Sequence, residues 1–208
     1  MRLAPLAVLA ALAASCSPPP APPPEFVTNE MFLDQGWSAA DRAWFTGTAQ
    51  GSHLMPLPWF MALRRVERDE AFVADQLTRY GYLPQPSTLL VGFVPDDSVV
   101  DPQLGITCAA CHTGQLRYRG QAYLIDGGRA DADFQTFLTD LGAAARATLA
   151  EPDRFAAFAT SVLGAGATPA QTAMLRQGLA AGPPPTTASW PPACRTRPGG
   201  PAGSIRSA

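Results

Sequence analysis

Cys108, Cys111 and His112 are the residues whose types and spacing promise chemistry, in the run Cys108-Ala109-Ala110-Cys111-His112. Two thiols two residues apart can each add to a vinyl group of one porphyrin, giving two thioether bonds. The histidine that follows offers an imidazole nitrogen to the iron. Cys-x-x-Cys-His is the attachment signature of a c-type haem. In such a site the protein sets axial ligation and burial, and the redox chemistry belongs to the haem. The chain holds 4 Cys and 2 His in all, so chance rarely gathers three of them in this order. The expected cofactor is one covalent haem c, held by Cys108 and Cys111 with His112 as proximal ligand.

Other readings of the same residues stay open. A Cys-x-x-Cys pair can form a disulfide, or serve as a thioredoxin-like redox couple beside a βαβ pattern, and no such pattern is visible. It can also be half of a zinc site, which needs four ligands. His53 and Cys194 are the remaining candidates for that, at no recognisable spacing.

The elements that must position the motif read as helices joined by long loops. Ser38 caps a helix over 39–46. Pro58 opens a second, over 59–68. Asp69 caps a third, over 70–80, with Phe72, Val73, Leu77 and Tyr80 at helical spacing. Residues 84–105 read as a loop, with a short strand possible over 89–94. A short helix starts near Cys108. Leu116 to Ile125 alternates weakly, as a small hairpin about Arg119-Gly120 would. Helices then follow over 131–149, with a Phe134, Phe137, Leu138, Leu141 stripe, over 153–163, and from the Thr168-Pro169-Ala170-Gln171 capping box to about 181. The fold class expected from this is mainly α: a cytochrome c-like haem domain with long loops over 26–181, a spacer before it and a disordered tail after it.

The ends read differently from the domain. Met1-Arg2 and the Leu-, Ala- and Val-rich run to Ala14 form a secretory signal, too short for a membrane span. Ala13-Ala14-Ser15-Cys16 resembles a bacterial lipobox, except that Ala13 stands where Leu is usual. The expectation is a signal over 1–16, with Cys16 lipidated and the protein in the periplasm or at the cell exterior, anchored to a membrane only there. Ordinary cleavage nearby is the alternative. Residues 17–25, with Pro18-Pro19-Pro20 and Pro22-Pro23-Pro24, form a semi-rigid polyproline spacer. From 182 to 208 proline and glycine dominate without apolar periodicity, as in a disordered or frameshift-like tail. Net charge is −2, which implies no nucleic-acid partner. All 15 basic residues are Arg, consistent with a GC-rich coding bias.

Several segments carry a wider likeness: Asp34-Gln35-Gly36-Trp37, Gln50-Gly51-Ser52-His53-Leu54-Met55-Pro56, Trp59-Phe60-Met61-Ala62-Leu63, Tyr80-Gly81-Tyr82, Leu104 to Gln115, and Ile125-Asp126-Gly127-Gly128. Over about residues 30 to 180 the chain resembles the N-terminal part of exported di-haem c-type cytochromes related to rubber oxygenases and, more distantly, to bacterial cytochrome c peroxidases. The resemblance implies a second Cys-x-x-Cys-His in a C-terminal haem domain, and this chain holds one such motif. The expectation is therefore a single-haem, single-electron carrier serving a redox partner protein. The alternative is a fragment of a di-haem peroxidase or oxygenase-type enzyme.

The residue opposite His112 on the iron decides between carrier and enzyme, because Met or His there gives an electron-transfer centre. His53 is the other imidazole. Met55 lies in the polar loop that the resemblance marks. Met31, Met61 and Met174 are further thioethers, and each serves equally as packing. Arg117, Arg119 and Arg129 are candidates to pair with haem propionates, or are solvated surface arginines. Trp37, Trp44, Trp59, Tyr80 and Tyr82 are candidates to pack on a porphyrin, or build the core.

Overall fold

Phe137 is the hub of the main core. It is fully buried, and the rings of Phe60, Phe72, Tyr80, Tyr82, Phe93 and Phe134 surround it with centroids 5.7–6.4 Å away. Most of these contacts are edge-on, the arrangement that ring quadrupoles favour. The computed structural model describes residues 30–85 and 89–182. The expected signal, Cys16, the polyproline spacer, Cys194 and the tail after Gly182 lie outside the described residues.

Three helices cover one side of this core. Phe134–Ala150 (α4) starts where the Asp133 carboxylate accepts the Thr136 N–H at 2.9 Å. Its buried face, Phe137, Leu141, Ala144, Ala145 and Thr148, recurs every three to four residues as an amphipathic helix requires. Pro152–Leu163 (α5) and Pro169–Ala181 (α6) follow, each with proline in the first turn, where a missing N–H costs nothing. Thr168 and Gln171 form the expected capping box on α6. Ala39–Gly47 (α1) has Ser38 as its N-cap, as expected, with Asp41 completing a box. Leu57–Ala62 (α2) is shorter than its sequence pattern predicts.

Strands accompany these helices, and this overturns the expected fold class. Among the described residues the chain is about 43% helix and 17% strand, with two sheets. It is a mixed α/β fold, not a mainly α, cytochrome c-like domain. Glu30–Phe32 (β1), Thr113–Tyr118 (β4) and Gln121–Asp126 (β5) form one sheet in the order β1-β5-β4. Here β1 runs parallel to β5, with Met31 opposite Tyr123, and β4 runs antiparallel to it, with Leu116 opposite Tyr123. Phe93–Asp96 (β2) and Gln103–Ile106 (β3) form an antiparallel pair, Phe93 opposite Ile106. The segment read as a loop over 84–105 thus supplies a sheet. Pro95 and Gly105 disguise it, since both residues are depleted from strand interiors. Gly105 is needed there, because a Cβ on it would meet the Ala49 Cβ at 2.8 Å.

The helix expected over 70–80 is absent, and a single 3-10 turn over Thr78–Tyr80 stands in its place. Gln76 and Leu77 take φ of +47° and +54°, which no right-handed helix accommodates. Asp75 organises the turns. Its carboxylate accepts the Leu77 N–H at 3.0 Å, pairs with Arg65 at 2.7 Å and also pairs with Arg79. Phe72, Leu77 and Tyr80 are still buried; the periodicity was satisfied by turns instead of by a helix.

Candidate functional site

Strand β3 delivers the chain into the Cys-x-x-Cys-His run through Thr107, which is fully buried. The Thr107 N–H donates to the Gly92 carbonyl at 2.9 Å, and its hydroxyl accepts the Ala109 N–H at 3.2 Å. A buried threonine that captures a nearby N–H starts a turn in this way. Ala109–His112 (α3) follows as one helical turn with Cys108 at its head. The His112 N–H donates to the Cys108 carbonyl at 3.0 Å.

The spacing sorts the turn into two sides. Ala109 and Ala110 are 2% exposed and face the core, while Cys108 is half-buried and Cys111 and His112 are exposed. Positions three apart on a helical turn share a side, so Cys108 and Cys111 are neighbours there. Small residues are obligatory on the inner side. A Cβ on Gly92 would lie 2.2 Å from the Ala110 Cα, and Gly92 sits at φ +89°. The exit from the turn is held as well. The Ala130 N–H donates to the Cys111 carbonyl at 3.1 Å. The Thr113 hydroxyl donates to Asp126 at 3.4 Å, and Arg42 pairs with the same carboxylate at 2.8 Å.

Tyr82 belongs to the core that also buries Ala110 of the turn. It is 4% exposed, stacked edge-on against Phe93 at 4.9 Å, and its buried hydroxyl has no hydrogen-bond partner among the described residues. Burial pushes its ionisation far above the ordinary tyrosine value, and negative charge at Cys111 and Asp133 adds to the rise. Tyr80 differs. Its hydroxyl donates to Asp140 at 2.9 Å, and burial together with that bond pushes its pKa up to about 12.

The two candidates for the other axial position lie on the segment that pairs with β3. Residues 50–55 run along the free edge of β3: the Leu54 N–H donates to Leu104 O at 3.1 Å and the Leu104 N–H to Met55 O at 2.8 Å. His53 and Met55 are thereby placed beside Leu104 of β3. Met55 is 5% exposed and belongs to the apolar core. His53 Nε2 is 3.0 Å from Asp96 Oδ2 and 3.3 Å from Ser98 Oγ, at a backbone φ of +36°. Ser98 donates to Asp96 from its backbone at 3.0 Å. Those Ser98 bonds, with His53 adding to them, hold the Asp96 carboxyl below its ordinary range. His53, Met55, Trp59 and Gln103 line a cleft of about 230 Å3 against α6.

The remaining candidates divide. Tyr80 and Tyr82 are core residues, and Trp59 packs edge-on against Phe158. Trp37 stacks on Phe45 at 4.9 Å, Trp44 is exposed, Met61 is half-buried, and Met31 and Met174 are exposed. Arg117, Arg119 and Arg129 are all exposed. Sequence reasoning missed Thr107, Gly92 and the Tyr82 hydroxyl. A glycine inside the apolar run Leu89-Leu90-Val91-Gly92-Phe93 was the one available signal of close backbone approach.

No protein-family profile matches the chain, and no solved structure matches it significantly. The chain is 35% identical over 177 residues to "Uncharacterized protein y4iJ" of Sinorhizobium fredii, an alignment covering 74% of this chain and 30% of that protein. The chain thus spans under a third of the length of this curated relative.

The residues present fit a covalent haem. The donor set is two thiols and an imidazole in the order the attachment requires. Cys111 and His112 face outward. The turn that carries them is anchored through Thr107, Ala110 and the Cys111 carbonyl. Among the described residues no group of three or more His, Cys, Asp or Glu side chains is gathered to hold a bare metal ion.

Proposed function

We propose that this protein is an exported, single-haem c-type redox protein that passes single electrons to a partner protein. The observation that carries the reading is the division of the turn: its alanines are buried, and Cys111 and His112 are turned outward. Cys108 and Cys111 hold the haem by thioether bonds, and His112 supplies the proximal nitrogen. When bound, the haem supplies a one-electron couple. The chain's own part is to orient the two sulfurs and the imidazole on one short, pinned turn, so that little reorganisation accompanies binding. The lipobox-like end at Cys16 and the polyproline spacer support export, with Cys16 acylated and the domain held off a membrane surface. No helix of the described residues is long and apolar enough to cross a membrane.

The test is to produce the chain in bacteria equipped with a cytochrome c maturation system and to weigh the mature protein. The expected mass includes one haem, retained after denaturation, and a diacylated Cys16 at the N-terminus. A wild-type product that folds without haem refutes the cofactor, and an unacylated N-terminus downstream of Cys16 refutes the anchor.

A second reading, carried by the resemblance in the sequence, is this domain as one part of a longer di-haem peroxidase or oxygenase; the aligned region covers 30% of the uncharacterised relative, which accords with a longer chain and says nothing of its activity. The absorption spectrum separates the two. A six-coordinate, low-spin haem inert to peroxide supports the carrier; a five-coordinate haem that turns over peroxide or oxygen supports the enzyme.

A further inference from the structure

We propose that the outer face of the β1-β5-β4 sheet is the bed on which the haem lies, with Arg119 binding its propionates. This rests on the covalent-haem reading above. Directly paired residues on adjacent strands share a face. By register, Met31, Tyr123 and Leu116 therefore form one apolar row across all three strands, and Tyr118 continues the same face down β4. Met31, Leu116 and Tyr118 are 50%, 54% and 56% exposed. The other face of the sheet is already covered: Ala122, Leu124 and Asp126 are buried there, beneath Arg42 of α1, which pairs with Asp126 and stacks on Phe32 at 4.0 Å.

An open apolar sheet face marks a binding surface, and its position names the occupant. Strand β4 begins at Thr113, the residue after His112. The tether for the haem is therefore the head of the strand that carries Leu116 and Tyr118. The segment after β5 approaches that head, where a Cβ on Gly114 would meet the Arg129 carbonyl at 2.8 Å. Beyond it, among the described residues, Leu116 and Tyr118 stay exposed toward the hairpin turn. A porphyrin bears its vinyl groups and its propionates toward opposite edges, so a ring tethered at α3 presents carboxylates toward the far end of the face. Arg119 stands at that end, its guanidinium over the Tyr118 ring at 5.1 Å. Arg117 does not share this side. It pairs in register with buried Ala122, and its Nε donates to Gln115, which is opposite Leu124.

The test uses full-length, haem-loaded protein, with haem content verified by mass for every variant. Removing a cation beside the propionates, or adding an anion to the bed, favours the more positive ferric state. Arg119→Gln and Leu116→Glu are expected to shift the midpoint potential downward and to change the Soret circular dichroism. Arg117→Gln, on the covered side, and Val100→Glu, at a 99% exposed site elsewhere, are expected to leave both at wild-type values. Loaded protein in which Arg119→Gln and Leu116→Glu also match wild type overturns the bed while leaving the haem in place. A wild-type chain that carries no haem overturns both readings.

Discussion

Gly92 and Ala110 are packed backbone to backbone: a Cβ on residue 92 would stand 2.2 Å from the Ala110 Cα. The contact joins the start of β2 to the inner side of the Cys-x-x-Cys-His turn, and it leaves no room for adjustment. Gly92→Ala also forces a side chain into φ +89°. The expected loss is at least about 2 kcal/mol of unfolding free energy, with reduced haem loading because α3 is pushed outward. Urea denaturation and haem content per chain measure the two effects. Wild-type values for both would show that the turn is not pinned at this contact.

The roles within the motif are separable. Cys108→Ser and Cys111→Ser each leave one thioether, so each single variant is expected to retain haem through denaturation in lower yield, and the double variant to lose it. His112→Ala keeps both sulfurs. It is expected to keep the haem mass and lose the spectrum of the histidine-ligated iron. An unchanged spectrum in His112→Ala would remove His112 from the iron.

Two neighbouring tyrosines give opposite expectations from the same substitution. Tyr80→Phe deletes the hydroxyl that donates to Asp140 at 2.9 Å, at a cost of about 1 kcal/mol. Tyr82→Phe removes a buried hydroxyl that has no partner among the described residues, and it is expected to be neutral or stabilising by up to about 1 kcal/mol. Thermal unfolding of the two variants side by side decides. A substantial loss in Tyr82→Phe would mean that the hydroxyl has a partner, such as an ordered water or the haem itself.

Acid stability tests the cluster at His53. Asp96 has its carboxyl held below the ordinary range by the Ser98 bonds first and by His53 after them. A depressed carboxyl contributes stability that is complete above the ordinary carboxylate range and is lost as pH falls through the folded-state value. Ser98→Ala removes the hydroxyl bond and raises that value. The acid-unfolding midpoint is expected to move to higher pH, with stability at pH 7 reduced and the haem spectrum at neutral pH unchanged. A midpoint that stays put would show that Asp96 is not held in this way.

What was readable in the chain was local. The capping residues Ser38 and Thr168 and the apolar stripe of α4 are satisfied within a few residues, so their patterns survive in any context. The β4-β5 hairpin was also visible, because Arg119 and Gly120 take φ of +50° and +80°, the paired left-handed geometry of a tight hairpin turn. The motif Cys108-Ala109-Ala110-Cys111-His112 is likewise contiguous, so its haem reading draws on no distant partner. The misread parts depend on distant partners. Strand β1 has three residues, too few to show alternation, and exists because β5 lies beside it. The turns over 70–80 are imposed by arginines converging on Asp75. The fold class was misjudged because the strands of β2 and β3 carry Pro95 and Gly105, which a reader of propensities assigns to loops. The pairing of His53 with Asp96 was likewise not legible, because the two lie 43 residues apart in the chain.

The parallel pairing of β1 with β5 also bears on the order of assembly. Chains emerge N-terminus first, and Glu30 must wait for Ala122 before it can be paired. The β4-β5 hairpin, whose ends meet locally, closes early, and docking of β1 has to span a long intervening loop. The thiols of Cys108 and Cys111 therefore emerge before the third strand of their neighbouring sheet can close. On the proposed covalent-haem reading, an enzyme that attaches the group to them would meet the hairpin before the N-terminal strand completes the sheet.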